Sequence, residues 1–167
     1  MSGPADAGVR IRPAGPSDLA AIVRFNAALA QETEGKRLDP TVLARGVERA
    51  LAEPDRLRYW VAESQGDIVG QAAITREWSD WRDGWIWWLQ SVYVDSTRRG
   101  QGVFRALVTE IREEAQAEGD VIGLRLYVED ANHDAQRVYH AVGFEPGGYQ
   151  VYEQFWIEPL KRPAAPG

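Results

Sequence analysis

The chain has 167 residues, a formal net charge of −6 and no cysteine. Its length suits one domain with a sizeable core, and the lack of cysteine excludes disulfides, thiolate metal sites and a cysteine nucleophile. The acidic balance argues against a nucleic-acid partner, and two histidines are too few for a histidine-rich metal site, so we expect no metal. No apolar stretch has transmembrane length, and the first residues lack the basic and apolar regions of a signal peptide. We therefore expect no membrane partner and a cytoplasmic location.

The N-terminal half of the chain mixes strand and helix patterns. Pro16, Ser17 and Asp18 form a helix start, and Gln65-Gly66-Asp67 is a hairpin signal between two strand patterns. In chain order the pattern predicts a strand over 9–12, helices over 16–30 and 40–51, and strands over 59–64 and 68–76.

The C-terminal half continues the same mixture. In chain order it predicts a strand over 85–94, a helix over 103–118, a strand over 123–128, a helix over 132–142 and a last strand over 149–157. This order predicts an α/β (α+β) fold, with helices around one sheet in a single domain over 9–160. The Pro/Gly-rich segments 1–8 and 161–167 are expected to be flexible termini.

A glycine-rich turn lies between the strand over 85–94 and the next helix. Two glycines lie among three arginines there, in the stretch RRGQGVFR over 98–105. A helix N-terminus has unpaired N–H groups and partial positive charge, and glycines leave room for an anion, so the turn would hold a phosphate or pyrophosphate. A tight turn with solvated arginines is the alternative. Neither the P-loop nor the G-x-G-x-x-G spacing is present.

Three motifs in order resemble those of the Gcn5-related N-acetyltransferase (GNAT) superfamily. The first is Arg99-Gly100-Gln101-Gly102-Val103-Phe104, which is similar to the family's [Q/R]-x-x-G-x-[G/A] except at Phe104. The second is the strand QSVYVD over 90–95, and the third is Asn132-x-x-Ala135-x-x-x-Tyr139-x-x-x-Gly143-Phe144. The resemblance implies a GNAT-like domain, in which about four helices flank a mixed, mostly antiparallel sheet.

The resemblance also implies acetyl-CoA as co-substrate. The pantetheine arm would pair with the strand backbone at 92–94, the pyrophosphate would sit on the turn, and Asn132 would bond the arm. As a plain interpretation, Asn132 is a helix N-cap. The implied cofactor-binding residues are Val92, Tyr93, Val94, Arg99, Gly100, Gln101, Gly102, Val103, Phe104, Arg105 and Asn132.

The implied reaction is direct attack of an amine on the acetyl carbonyl. A backbone N–H near Val92 would polarise that carbonyl, and Tyr139 would protonate the departing thiolate as general acid. A phenol of pKa near 10 suits a thiolate of similar basicity, although Tyr139 would equally serve as an aromatic packed beside Phe144. The general base is expected to be Glu77, with Asp80 second and Glu34 third.

Five of the seven tryptophans fall between Trp78 and Trp88. Carboxylates beside indoles favour a cationic ligand through ion pairing and cation–π contact, whereas Trp87 and Trp88 are better explained by packing. We therefore expect a small cationic amine as acceptor. Its predicted contacts are Glu34, Trp78, Asp80 and Trp81.

Two alternatives stay open from the sequence. One is a protein or peptide N-acetyltransferase, and the other is an acyl-CoA-binding sensor module without turnover. The retention of Tyr139 favours catalysis, because a sensor does not need an acid at the sulfur. The apolar tail over 149–156 is compatible with a homodimer.

Overall fold

The computed structural model describes residues 8–157, and within them it contains five strands and four α-helices. The strands are β1 (Arg10–Pro13), β2 (Arg58–Ser64), β3 (Asp67–Ser79), β4 (Gly84–Val94) and β5 (Val121–Leu126). The helices are α1 (Leu19–Glu34), α2 (Pro40–Ala52), α3 (Val103–Glu118) and α4 (His133–Ala141). The flexible termini predicted at 1–8 and 161–167 lie, apart from Gly8, outside the described residues.

The strands form one sheet in the order β1-β2-β3-β4-β5. The first three pairs are antiparallel, and β4 and β5 are parallel. A parallel pair needs a crossover connection, which α3 supplies here. The predicted mixed, mostly antiparallel sheet with four helices is therefore confirmed.

Each face of the sheet packs against its own helices. On one face Trp60 and Trp87 are fully buried and pack with Leu107 and Ile111 of α3. On the other face, Tyr59 and other side chains of β2 and β3 pack with α1 and α2. Alternation along β4 puts neighbouring residues on opposite faces. Trp87 therefore enters the α3 core, and Trp88 points to the α1/α2 side.

Local signals set the helix ends. Asp39 accepts bonds from the backbone N–H groups of Thr41 and Val42 at 2.8 and 3.0 Å, and Pro40 fills the first position of α2. Gly35 ends α1 in the left-handed conformation, with φ of 61°. The predicted helix over 16–30 begins as a 3-10 turn, Pro16–Asp18, and then continues as α1 to Glu34.

The strand predicted over 149–157 is wrong, because residues 149–157 form no strand in the structure. Tyr149, Tyr152 and Trp156 are exposed there. Alternation shows that a segment could bury one face, but a strand also needs a hydrogen-bonding neighbour and a surface to cover it, and this segment has neither in the described chain. Smaller differences concern strand ends, since β3 continues to Ser79 and β5 spans 121–126 instead of 123–128.

Candidate functional site

The two parallel strands of the sheet separate halfway along β4. Their register runs from Trp85 beside Val121 to Leu89 beside Leu126, where β5 ends. β4 continues to Val94, so β5 offers no partner to the segment 90–94. An unpaired strand edge presents N–H and C=O groups that an extended ligand can bind. The sequence motif over 90–95 therefore lies at an open backbone edge.

A β-bulge deforms β4 at this edge. Gln71 faces Tyr93 while Ala73 faces Gln90, so Ser91 and Val92 together oppose the single residue Ala72. Ser91 has φ of +50°, and a non-glycine residue held in the left-handed region costs on the order of 1–3 kcal/mol. The surrounding structure must therefore stabilise the bulge. The bulge could not be predicted from the sequence, because no local residue pattern marks it.

The glycine turn has the geometry that an anion site needs. Gly100 and Gly102 have φ of +73° and +84°, which disfavour any residue with a Cβ. Gly102 is the N-cap of α3, and no side chain caps that end of the helix. Because the first N–H groups of a helix have no partner within it, the start of α3 presents free donors and partial positive charge.

The three arginines of the turn differ in their contacts. Arg99 donates from Nε to the Val94 carbonyl at 3.0 Å and from Nη2 to Glu32 at 2.6 Å, and it lies over the Tyr93 ring. Arg98 donates to Ser64 Oγ at 3.1 Å. Arg105 is exposed and forms no hydrogen bond or ion pair with the described residues. Arg105 is therefore the arginine of this turn that a ligand can bind without displacing a contact to another described residue.

The Arg99 contact also connects the open end of β4 to α1. Glu32 accepts from Arg99 and from the Tyr93 hydroxyl at 2.7 Å. These bonds hold the pKa of Glu32 below its ordinary value, with the Arg99 bond as the largest cause. Burial, followed by the bond to Glu32, raises the pKa of Tyr93. The end of α1 is thus fixed beside the post-bulge part of β4.

Tyr139 lies beside the first turn of α3. Its ring packs edge-on against Phe104 and Phe144, with centroids 5.6 and 6.2 Å away. Burial raises its pKa, so the hydroxyl keeps its proton at neutral pH. No described residue bonds to this hydroxyl. The packing role and a role as proton donor are therefore compatible in the same side chain.

Asn132 is the N-cap of α4, as its position at the start of the predicted helix indicates. Its Oδ1 accepts from the backbone N–H of Ala135 at 3.1 Å. The side-chain nitrogen has no partner among the described residues. An amide has two donors there, so the cap leaves both N–H groups for a ligand.

Glu77 sits on the α1/α2 side of the sheet, among aromatic residues. Its Oε2 accepts from the Trp88 indole at 2.8 Å and from Arg125 at 3.0 Å. The Trp88 ring stacks on Tyr127 with a centroid distance of 4.4 Å, and we call this pair the aromatic platform. Sequence analysis assigned Trp88 to packing and did not single out Tyr127 or Arg125. Alternation separates Trp87 from Trp88, but it does not say which of them is buried.

The other predicted acceptor contacts lie apart from the open edge. Trp78 packs edge-on against Trp85 at 5.1 Å on the α3 side, and Trp81 is 87% exposed in the β3–β4 turn, where Asp80 bonds to its backbone N–H. At about 3.3 Å per residue, Trp85 lies about 23 Å along β4 from Val92. The structure does not bring these side chains together with the open edge. Glu34 ends α1 near that edge and pairs with Lys36.

Two general properties of residues 8–157 complete the description of the site. Within this range, no group of three or more His, Cys, Asp or Glu side chains is arranged to hold a metal ion. No helix in the same range has the length and apolar character needed to cross a bilayer.

Known proteins share the sequence pattern and the fold of this chain. Residues 24–144 match the model of the acetyltransferase (GNAT) family. The chain is similar to a possible acetyltransferase from Clostridium difficile 630, with 40% identity, coverage of 89% of this chain and 98% of that chain, and a TM-score of 0.83.

More distant structures share the fold. A transcriptional regulator from Bacillus halodurans C-125 has 24% identity, coverage of 88% and 99%, and a TM-score of 0.76. A GCN5-related N-acetyltransferase from Ralstonia eutropha JMP134 has 20% identity, coverage of 88% and 99%, and a TM-score of 0.71. No curated protein sequence matches the chain.

Proposed function

Because the chain belongs to the GNAT acetyltransferase family, we propose that it moves the acetyl group of acetyl-CoA to the primary amine of a small cationic acceptor. The observation that carries this proposal is the open β4 edge at 90–94, which is followed, after a 3-10 turn at Ser96–Arg98, by an uncapped helix N-terminus at Gly102. An extended amide-containing arm fits the first, and a pyrophosphate fits the second.

The described residues fit coenzyme A in three places. The backbone at 92–94 supplies donors and acceptors for the arm, and the free side-chain N–H groups of Asn132 supply further donors. The turn at 100–105 supplies backbone donors and the unpaired cation of Arg105. When bound, acetyl-CoA would supply a thioester carbonyl open to attack by an amine, with the sulfur as leaving group.

Two groups of the chain stabilise charge during transfer. The backbone N–H of Val92 donates to the carbonyl oxygen, where negative charge develops. Tyr139 donates its phenolic proton to the sulfur as the carbon–sulfur bond breaks, and burial raises the pKa of this phenol, so it is in the protonated form at neutral pH. The edge-on contacts of the Tyr139 ring with Phe104 and Phe144 support this role, because they hold the phenol in a fixed position.

Glu77 is proposed as the group that receives the amine proton. Its carboxylate contacts the Trp88 indole, and Trp88 lies about 13 Å before Val92 at 3.3 Å per residue. At that distance the proton travels through water. Asp80 lies in the β3–β4 turn, farther along the sheet from Val92, and is the weaker candidate for this role.

The acceptor is proposed to bind on the α1/α2 side, against the aromatic platform. A cation over the Trp88 or Tyr127 ring gains cation–π energy, and Glu34 at the end of α1 would contact the acceptor amine in exchange for its ion pair with Lys36. Arg125 lies 5.7 Å from the Trp88 ring, so an acceptor cation would bind beside this guanidinium or replace it. Among the predicted contacts, Trp78 and Trp81 support the proposal less, since they lie toward the other end of β4.

The test is release of free thiol from acetyl-CoA across amino acids, polyamines, aminoglycosides and short peptides. The proposal predicts saturable turnover with at least one small amine. Turnover with peptides alone would favour a peptide N-acetyltransferase, and acetyl-CoA binding with no turnover would favour a sensor module. Either of those two results would contradict the proposed acceptor class.

A further inference from the structure

A chain of buried side-chain amides connects α1 and β2 to the bulge of β4. Gln71 of β3 is fully buried, and its Nε2 donates to the Ser91 carbonyl at 3.0 Å and to Asn26 Oδ1 at 2.8 Å. Asn26 of α1, 8% exposed, donates from Nδ2 to the Tyr59 hydroxyl at 3.1 Å. The bulge residue is therefore held by a side chain that lies 20 residues earlier in the sequence.

The Ser91 carbonyl determines the direction of every hydrogen bond in this series of side chains. A backbone carbonyl can only accept, so the Gln71 amide must present its nitrogen to Ser91. The second N–H of that nitrogen then requires an acceptor, which is Asn26 Oδ1. Asn26 consequently presents its own nitrogen to Tyr59. Only one orientation of the two amides satisfies these bonds, and it is fixed by the peptide between Ser91 and Val92.

The same peptide carries the N–H of Val92. No cis peptide bond occurs in the described chain, and in a trans peptide the N–H points opposite to the carbonyl. With the Ser91 carbonyl directed at Gln71, the Val92 N–H points away from Gln71. The orientation of this donor thus depends on the bond between Gln71 and Ser91.

We propose that Gln71 is a positioning residue, which aims the Val92 N–H at the thioester carbonyl by fixing the Ser91–Val92 peptide. This inference rests on the proposed function, because that function assigns the Val92 N–H to the carbonyl oxygen. Ser91 occupies a backbone region that serine rarely adopts, so the peptide can relax when the bond that holds it is removed. The substrate contact is made by Val92, and Gln71 acts through it.

The experiment compares the Gln71→Met variant with the native protein by two measurements. Methionine keeps the volume and removes both donors. The first measurement is the infrared carbonyl stretch of bound acetyl-CoA labelled with ¹³C at the carbonyl. The native protein should lower this frequency relative to free acetyl-CoA, and Gln71→Met should lose most of that shift while still binding coenzyme A. The second is the ¹H–¹⁵N resonance of Val92 without ligand, which should move in Gln71→Met.

Tyr59→Phe is the matched control. It removes the buried hydrogen bond between Asn26 and the Tyr59 hydroxyl and leaves the bond between Gln71 and Ser91. The carbonyl stretch of bound acetyl-CoA should therefore stay native. If Gln71→Met does not fold, Gln71→Leu tests the same point, because leucine is of similar size and also has no donor for the Ser91 carbonyl. An unchanged carbonyl stretch and an unchanged Val92 resonance in a folded Gln71 variant would overturn the inference. A native protein that does not bind acetyl-CoA would instead contradict the proposed function, and the Val92 resonance would then report only whether Gln71 fixes the Ser91–Val92 peptide.

Discussion

Arg99 and Glu32 form an ion pair of 2.6 Å that connects the end of β4 to the last turn of α1. This pair turns the Arg99 guanidinium toward α1, although its position in the glycine turn suggests a phosphate contact. Arg105, six residues later, has no partner in the described chain. The two arginines should therefore contribute to different properties of the protein.

Replacing Arg105 with Ala should weaken coenzyme A binding about fivefold to tenfold, because it removes a charge-assisted contact at a partly solvated site. Replacing Arg99 with Ala should change that affinity less and should lower the melting temperature instead. Calorimetric titration with coenzyme A and thermal unfolding of both variants measure the two effects. A larger loss of affinity in the Arg99 variant would show that Arg99 leaves Glu32 to bind the ligand.

Tyr139→Phe should lower kcat at least about tenfold and leave the Kd for acetyl-CoA within about twofold, since general acid catalysis typically contributes more than that. Phe104→Leu is the control, because it disturbs the same aromatic packing and keeps the phenol. Steady-state kinetics with an amine from the panel provides the measurement. Equal kcat in the native protein and Tyr139→Phe would remove Tyr139 as the acid.

The stability of the protein should also report on Tyr139 at alkaline pH. Burial raises its pKa in the folded state above the unfolded value of about 10. The unfolded chain therefore loses this proton first as the pH rises, and the contribution of Tyr139 to stability is complete below pH 10 and lost above it. Urea unfolding across this range should show a steeper loss in the native protein than in Tyr139→Phe.

The difference between the two proteins isolates Tyr139. Tyr93 also has a raised pKa and contributes to the alkaline loss, but it is present in both proteins. Identical pH dependence of the free energy of unfolding in both would mean that the hydroxyl of Tyr139 is not desolvated in solution.

The order of elements and the glycine turn could be predicted from the sequence because their signals are local. A glycine at a left-handed position, such as Gly100 or Gly102, and the apolar stripe of α3 follow from the residues themselves. The predicted last strand shows the limit of the same method. Residues 149–157 have the alternation of a strand, but a strand also needs a neighbour, and the neighbour is a property of the whole fold.

The parts of the site that sequence analysis missed all depend on distant partners. The bulge at Ser91 is held by Gln71, and Arg99 is turned by Glu32, which lies 67 residues away. Alternation put Trp87 and Trp88 on opposite faces without saying which face α3 covers. Such pairings arise from packing between elements, and no spacing in the sequence encodes them.

Trp88→Leu should raise the KM for the amine on the order of tenfold, because it removes a cation–π surface and half of the aromatic platform. The KM for acetyl-CoA should stay within about twofold, as Trp88 lies before the open segment of β4. Trp78→Leu is the matched control and should leave both constants near their native values. The opposite result, with Trp78 as the sensitive position, would move the acceptor to the α3 side of the sheet.

Calorimetric titration of acetyl-CoA into the native protein and into Gly102→Glu measures whether the start of α3 holds the pyrophosphate. We expect saturable binding by the native protein and loss of binding in the variant, because a carboxylate at the N-cap of α3 repels the pyrophosphate. Gly119→Glu is the matched control, since Gly119 ends the same helix with a similar φ of +80° and should still bind. Native protein that does not bind acetyl-CoA, or Gly102→Glu that binds as tightly as the native protein, would contradict the proposed coenzyme A site.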